Sequence, residues 1–186
     1  MFNEKTTEDI KVLGISMAAC FEISENDFVF DKRYRELCEV NTCGAYGRNY
    51  MCPPSLGSFD DCVSEILRFE YGLIITTIHQ LEDSFDYEGM MEGGKVHKEN
   101  VYKVWDYLKS KESGLNYSEL KVLGAGGCSV CPKCGIIDNV PCRFPDKAVA
   151  SVEGHGIDVA HLTTSHGLNY INGENTVTYV ALYLFK

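Results

Sequence analysis

The stretch LIITTI, residues 73–78, is an unbroken run of aliphatic and β-branched residues. Such a run is typical of a strand buried in the middle of a sheet, because neither set of alternating side chains has to face water. Phe28–Phe30 is a candidate for a short hairpin partner. Three further strands are predicted around the central run, at residues 10–17, 120–123 and 177–185.

Apolar residues at helical spacing separate these strands. Ser58 is a suitable N-cap for the first of the helices, and Gly167 is a suitable residue to end the last one. The acidic segment 82–96 contains two glycines and predicts a mobile connection. The helices are predicted at residues 58–70, 98–111 and 157–166.

Together these elements predict an α+β fold in a single domain, residues 1–186, with a mixed or antiparallel sheet, helices on it and two Cys-rich metal-binding loops. A chain of 186 residues with 45% hydrophobic residues can bury a substantial core. Its 17 basic and 27 acidic residues give a net charge of −10. That charge repels phosphate backbones, so no nucleic-acid partner is expected.

Nine cysteines are the unusual feature of the composition. The N-terminal MFNEKTTEDIK, residues 1–11, has no apolar signal region, and no stretch reaches the roughly 20 apolar residues of a membrane span. We therefore expect a cytoplasmic protein without membrane association, in a compartment that keeps thiols reduced. Apart from Cys20, the cysteines fall into two groups, at 38/43/52/62 and 128/131/134/142, and clustered thiols of this kind indicate metal.

The second group contains three thiols within seven residues, at Cys128, Cys131 and Cys134, with Cys142 eight residues beyond the third. A tight loop can direct such a run at one iron–sulfur cluster, as in ferredoxin-type sequences. The preceding glycines at 124, 126 and 127 would allow close approach of the backbone N–H groups, and Lys133 and Arg143 would offset negative charge. This set of cysteine ligands most simply fits a [4Fe–4S] cluster, although [2Fe–2S] and larger clusters take the same ligands.

Three other interpretations of this segment remain open. The sequence Cys131-Pro-Lys-Cys134-Gly is also typical of a zinc knuckle, which needs a second pair of ligands. The glycine run resembles a nucleotide-binding loop only weakly, because cysteines rather than a helix follow it. Plain structural cysteines without metal are the third alternative.

The first group lies in CEVNTCGAYGRNYMCPP, residues 38–54, which has no periodicity and predicts a loop. Cys38, Cys43 and Cys52 are its candidate ligands, and a metal would be an economical way to order such a loop. Cys62, on the helix that follows, is a possible fourth ligand but is more simply a buried helix residue. Without Cys62, a cluster here would have three thiolates and one iron open to chemistry.

The second cysteine group lies in GAGGCSVCPKCG and in PCRFPDKAVASVEGHGIDV, which follows it. Together with the first group, these motifs resemble the family of predicted metal-binding proteins of DUF2284 type over Cys38–Val159. The chain departs from the family pattern at 149–156, where it has VASVEGHG. The resemblance supplies no substrate. It implies metal ligands at Cys38, Cys43, Cys52, Cys128, Cys131, Cys134 and Cys142.

Other polar residues are weaker candidates. Among the histidines at 155, 161 and 166, His155 is the one to consider as a proton donor or outer ligand. Ser151, Glu153 and Asp158 are expected as turn and cap residues, and the tyrosines at 46 and 50 as shields around a cluster.

The sequence thus predicts an iron–sulfur protein with two clusters, serving in electron transfer or as the redox subunit of a larger system with a redox partner protein. Two alternatives stay open. One is an enzyme that uses an open iron at the first group for reductive or sulfur chemistry. The other is a protein in which zinc is purely structural.

Overall fold

The computed structural model describes residues 4–186; residues 1–3, part of the segment that bears on a signal peptide, lie outside this range. Five helices and five strands form within the described residues. The helices are α1 (Glu4–Lys11), α2 (Lys32–Glu39), α3 (Phe59–Leu67), α4 (Tyr87–Lys109) and α5 (Val159–Ser165). The strands are β1 (Met17–Glu22), β2 (Tyr71–Gln80), β3 (Leu120–Gly124), β4 (Ala150–Ser151) and β5 (Thr176–Phe185).

The five strands form one sheet in the order β1-β2-β5-β3-β4. All neighbouring pairs are antiparallel except β3 and β4, which are parallel, so the sheet is mixed as predicted. Strand β2 extends the predicted central run at both ends and pairs with β5 over its full length. The α+β prediction is therefore confirmed, with β5 rather than β2 in the middle of the sheet.

Helices cover both faces of the sheet, which explains why the central run is apolar without alternation. On one face, Ile74 and Leu182 pack with Ile66 of α3 and Leu162 of α5. On the other face, Leu73, Ile75 and Tyr183 pack with Ile10 of α1 and Val101 and Val104 of α4. Within the described residues, no helix combines the length and apolar content that a membrane crossing requires.

Three predicted elements are corrected. Residues 10–17 do not form a strand, because Ile10 lies in the last turn of α1 with its side chain in the core and Gly14, at φ 88°, turns the chain before β1. Phe30 pairs with Ile157 in an isolated bridge instead of building a hairpin. The segment 82–96 is largely helical, because Asp86 caps α4 by accepting from the Gly89 N–H at 2.8 Å.

The three predicted helices are present with different ends, whereas α1 and α2 were not predicted. Ser58 caps α3 in a capping box with Asp61, and this helix ends at Leu67 instead of residue 70. The predicted helix at 98–111 is the second half of α4, and the helix at 157–166 is the shorter α5. Gly167 follows α5 with a φ of 72°, as its predicted role requires.

Candidate metal centre

The first cysteine group begins on a helix and continues into a loop. Asp31 caps α2 by accepting from the backbone N–H of Arg33 at 2.8 Å, and Cys38 lies in the last turn of this helix. The prediction that the loop starts at Cys38 is therefore wrong, because α2 has a capping residue and contains no Gly or Pro. Beyond α2, Cys43 is exposed and Cys52 is buried.

Residues 40–57 turn repeatedly through left-handed backbone positions. Asn41, Gly44 and Gly47 have φ angles of 57°, 72° and 65°, which Asn and Gly adopt with the least strain. The Asn41 side chain also accepts a hydrogen bond from the N–H of Tyr46 at 3.0 Å. The tight turns that place Cys43 and Cys52 thus depend on these residue types.

The second cysteine group follows β3 directly. Gly126, with a φ of 68°, turns the chain out of the strand. From there, a short 3-10 helix at Gly135–Asp138 and a left-handed Asn139 fold the loop back on itself. The structure thereby brings four thiols to the lining of a single cavity, those of Cys128, Cys131, Cys134 and Cys142.

Charged side chains brace this second loop. Lys133 and Arg143 both form ion pairs with Asp138, and Arg143 also donates to the carbonyl oxygen of Lys133 at 2.9 Å. Two cations therefore share one carboxylate, which leaves a net positive charge beside the thiols. This remaining positive charge can offset the negative charge of a metal–thiolate centre.

Two side chains of the first loop bond to the backbone of the second. Asn49 donates from Nδ2 to the carbonyl oxygen of Cys128 at 2.8 Å, and the Tyr50 hydroxyl donates to the carbonyl oxygen of Val140 at 3.0 Å. The loops also touch at Gly127, where an added Cβ would lie 3.2 Å from Sγ of Cys52. The two cysteine groups are therefore neighbours, and Gly127 leaves the space that their close approach needs.

A groove separates the exposed sides of the two loops. It measures about 800 Å³, including the part open to solvent. Cys43 of the first group and three cysteines of the second, at 128, 131 and 134, line it together with Arg48 and Lys133. The groove is thus wide enough to hold an inorganic centre between thiols of both loops.

Neighbouring cysteines also shift one another's pKa values. Burial raises the pKa of Cys52 to about 11, and the charges of Cys43, Cys38 and Cys128 act in the same direction, whereas Lys98 opposes them. Burial and the charge of Cys43 likewise raise the pKa of Cys38. A divalent metal would relieve this mutual repulsion, because it replaces the thiol protons and holds the thiolates together.

Charge is distributed unevenly along the chain. Segments 31–57 and 124–150, which contain both loops, hold seven of the 17 basic residues and only five of the 27 acidic ones. These segments therefore carry +2, while the rest of the chain carries −12. The segments that contain the candidate ligands are thus slightly basic in an acidic chain, which favours a negative metal–thiolate centre.

Within residues 4–186, no three Cys, His, Asp or Glu side chains converge closely enough to hold a metal ion in the present conformation. The thiols line shared cavities instead of pointing at one atom. The loops would therefore have to close by a small movement around any metal that they bind. Their construction from turns, with few bonds to the sheet, permits such closure.

The histidines are not directed at the thiols. His155 is buried, with Nδ1 bonded to the carbonyl oxygen of Ser151 at 2.9 Å and Nε2 facing the Glu65 carboxylate at 3.7 Å. His161 bonds through Nε2 to the carbonyl oxygen of Asn26 at 3.0 Å, and His166 lies 3.3 Å from Oδ1 of Asp27. These contacts make packing and local bonding the roles of all three rings.

The expected cap and turn residues behave accordingly. Asp158 caps α5 by accepting from the His161 N–H at 2.9 Å, and Oγ of Ser151 accepts from the Gly154 N–H at 2.9 Å. Glu153 lies close enough to influence Cys38, and burial raises the pKa of its carboxyl group. No local sequence pattern indicated Asn49 or Lys98, whose contacts with the second loop exist only in the folded chain.

An α+β fold that carries two neighbouring cysteine-rich segments is typical of a metal-binding protein. The chain belongs to the family described as predicted metal-binding protein (DUF2284), whose model matches residues 21–185. Metal binding is thereby supported for the chain as a whole, whereas the individual ligands stay predictions. Neither a search of curated proteins nor a search of solved structures found a match.

Proposed function

We propose that this protein binds two iron–sulfur clusters and serves in electron transfer, as a carrier or as the redox subunit of a larger system. The observation that supports this proposal is the placement of seven free thiols on two neighbouring segments of the chain, where Cys43 of the first group and three cysteines of the second line one groove. Soft thiolate ligands in such numbers suit iron–sulfur clusters, which supply one-electron redox chemistry when bound.

In this proposal Cys128, Cys131, Cys134 and Cys142 hold a cluster with four protein ligands, most simply [4Fe–4S]. Their common cavity supports the assignment. A second cluster is assigned to the other loop, where three thiolates would leave one iron open to a further ligand. Its ligands are Cys38, Cys43 and Cys52.

The proposal leaves Cys62 and Cys20 out of the ligand sets, and their contacts support packing roles. Sγ of Cys62 lies 3.5 Å from the carbonyl oxygen of Leu56 and 3.4 Å from Nη1 of Arg35, and the residue is buried. Cys20 lies on β1, with Sγ 3.8 Å from the Thr7 hydroxyl. Both thiols therefore have packing roles in the core.

Zinc is the main competing metal, and the number of thiols argues against it. One structural zinc takes four ligands in a tetrahedron, so a single site would leave three of the seven thiols unused. The third cysteine at two-residue spacing is also superfluous in a zinc knuckle. A structural zinc protein remains the alternative that metal analysis would reveal.

An enzyme with an open iron is the second candidate function, and one observation favours it. Cys43 is exposed and lines the groove together with Arg48, which forms no ion pair among the described residues. A small molecule could therefore reach a cluster at the first loop. Spectra that change on addition of a substrate would support this function over simple electron transfer.

Anaerobic purification with metal analysis tests the proposed function. The protein is expected to be brown and to contain iron and acid-labile sulfide in comparable amounts. A colourless protein with stoichiometric zinc and no sulfide would reject the iron–sulfur proposal. Air must be excluded, because exposed clusters decay and zinc can occupy the vacated thiolates.

Removing the metal is expected to loosen the two loops before the sheet unfolds. Segments 40–57 and 124–145 contain little regular structure, so bound metal would supply much of their order. Limited proteolysis of the metal-free protein should cut within these segments, while β2 and β5 stay protected. Unchanged protection of both loops would mean that packing and the bonds of Asn49 and Tyr50 hold them without metal.

A further inference from the structure

Lys98 is a partly buried lysine of α4 at the junction between the two cysteine groups. Its ammonium donates a hydrogen bond to the carbonyl oxygen of Gly127 at 3.1 Å, and Gly127 immediately precedes Cys128. Val101 and Tyr102, three and four residues further along α4, line the same cavity as these groups. The helix therefore places a cation against the backbone that carries a candidate ligand.

The other lysines of α4 lie differently. Lys95 and Lys109 pair with carboxylates of the same helix, at 3.6 and 2.9 Å. Lys103 donates to the amide oxygen of Asn100 at 3.0 Å and is exposed. Among the residues that the structure describes, Lys98 forms no ion pair with a carboxylate, so its charge is not neutralised locally and acts on the thiols.

The charge of Lys98 reaches both cysteine groups. Gly127 separates Cys128 from Cys52, whose Sγ would lie 3.2 Å from a Cβ at position 127. An ammonium in this position stabilises negative charge on either side of Gly127.

We propose that Lys98 is a positioning residue with two effects. It raises the reduction potential of the iron–sulfur centre that Cys128 ligates, and it holds the Gly127–Cys128 backbone in place. This inference rests on the proposed iron–sulfur function. One-electron reduction adds a negative charge to a centre that is already surrounded by thiolates. A fixed ammonium nearby stabilises the reduced form more than the oxidised form, because the interaction grows with the negative charge.

Three substitutions separate the charge of Lys98 from its hydrogen bond. Lys98→Met keeps the apolar stem but removes both charge and donor, Lys98→Gln keeps an N–H donor without the charge, and Lys98→Arg keeps both. Lys103→Met is the matched control, because Lys103 lies on the same helix and also bonds to a neutral oxygen. Each variant is purified anaerobically, and iron and sulfide are measured before the midpoint potentials are titrated spectroscopically.

The Met and Gln variants are expected to shift one midpoint potential to a more negative value, while Lys98→Arg and Lys103→Met keep the wild-type potentials. A wild-type potential in a Met or Gln variant that retains its iron and sulfide would overturn the charge role of Lys98. Wild-type protein without iron and sulfide would instead reject the proposed function. The two failures are therefore distinguishable.

Hydrogen exchange tests the positioning role whichever metal is bound. Loss of the bond to Gly127 is expected to accelerate amide exchange at residues 124–129 in Lys98→Met by up to about tenfold, the range that one hydrogen bond provides. Lys98→Arg and Lys103→Met should exchange like the wild type in this segment. Equal exchange in Lys98→Met and the wild type would show that Lys98 does not hold the loop.

Discussion

Cys134→Ala is expected to remove one cluster, about half of the bound iron, and to leave the spectrum of the other cluster intact. Cys52→Ala should remove the other cluster and spare the first. The reason is that Cys134 shares a cavity with the thiols of its own group, whereas Cys52 lies on the opposite loop. Iron and sulfide contents of the purified variants, with electron paramagnetic resonance spectra of the reduced proteins, measure the effect.

Two matched controls accompany these substitutions. Cys62→Ala and Cys20→Ala also remove a thiol, but both side chains have packing contacts away from the groove. Full iron loading is therefore expected in each, although the loss of buried volume lowers the free energy of unfolding by an amount on the order of 1 kcal/mol. If Cys62→Ala alone lost about half of the iron, the first cluster would have four protein ligands, and the open-iron enzyme would lose its main support.

The alternative to two clusters is one metal centre with ligands from both loops. The neighbouring positions of the loops support this alternative. Cys128 raises the pKa of Cys52 and lines the groove together with Cys43. A single shared centre predicts that Cys134→Ala and Cys52→Ala each abolish all bound metal. Partial loss in both variants, with different residual spectra, is the result that two centres require.

Local sequence signals were sufficient for the elements that are defined by their own residues. The β-branched run at 73–78 predicted β2, and Ser58 as an N-cap predicted the start of α3. The alternating C-terminal stretch likewise predicted β5. In each case the residues that decide the structure lie within the element or directly beside it.

One incorrect prediction also has a tertiary cause. Gly93 and Gly94 suggested a mobile segment, yet both lie within α4, where a Cβ at Gly93 would lie 2.9 Å from the ring of His79 and one at Gly94 would be 3.4 Å from the ring of Tyr179. Glycine is unfavourable in a helix taken alone, but here its lack of a side chain allows the helix to pack closely on the sheet. Residues from β2 and β5 create that requirement, and the sequence of α4 does not contain it.

The candidate site could be predicted in the same partial way. Cysteine spacing identified the two groups, because ligands from one loop must lie close together in the chain. The contacts between the groups could not be predicted. Asn49 bonds to the carbonyl oxygen of a residue 79 positions away, and Lys98 to one 29 positions away, so only the fold brings them together.

Gly135→Ala is expected to cause a large and selective loss of metal at the second loop. A Cβ at this position would lie 2.7 Å from the carbonyl oxygens of both Val140 and Pro141, and real Cβ atoms essentially never approach that closely. The obstructing atoms belong to the backbone, so no side-chain rotation can relieve the clash. The chain between Cys134 and Cys142 would have to open, which would move Cys142 away from the other thiols of its cavity.

The predicted signature is loss of the cluster assigned to the second loop, with the sheet intact. Iron content should fall by about half, as in Cys134→Ala, while far-ultraviolet circular dichroism stays unchanged. Gly94→Ala is the control, because its Cβ would lie 3.4 Å from the ring of Tyr179, an ordinary contact, and alanine favours the helix by up to about 1 kcal/mol. That variant should keep all of its metal. Full metal loading in Gly135→Ala would contradict the assignment, because Cys142 would then not need the tight loop to reach the centre.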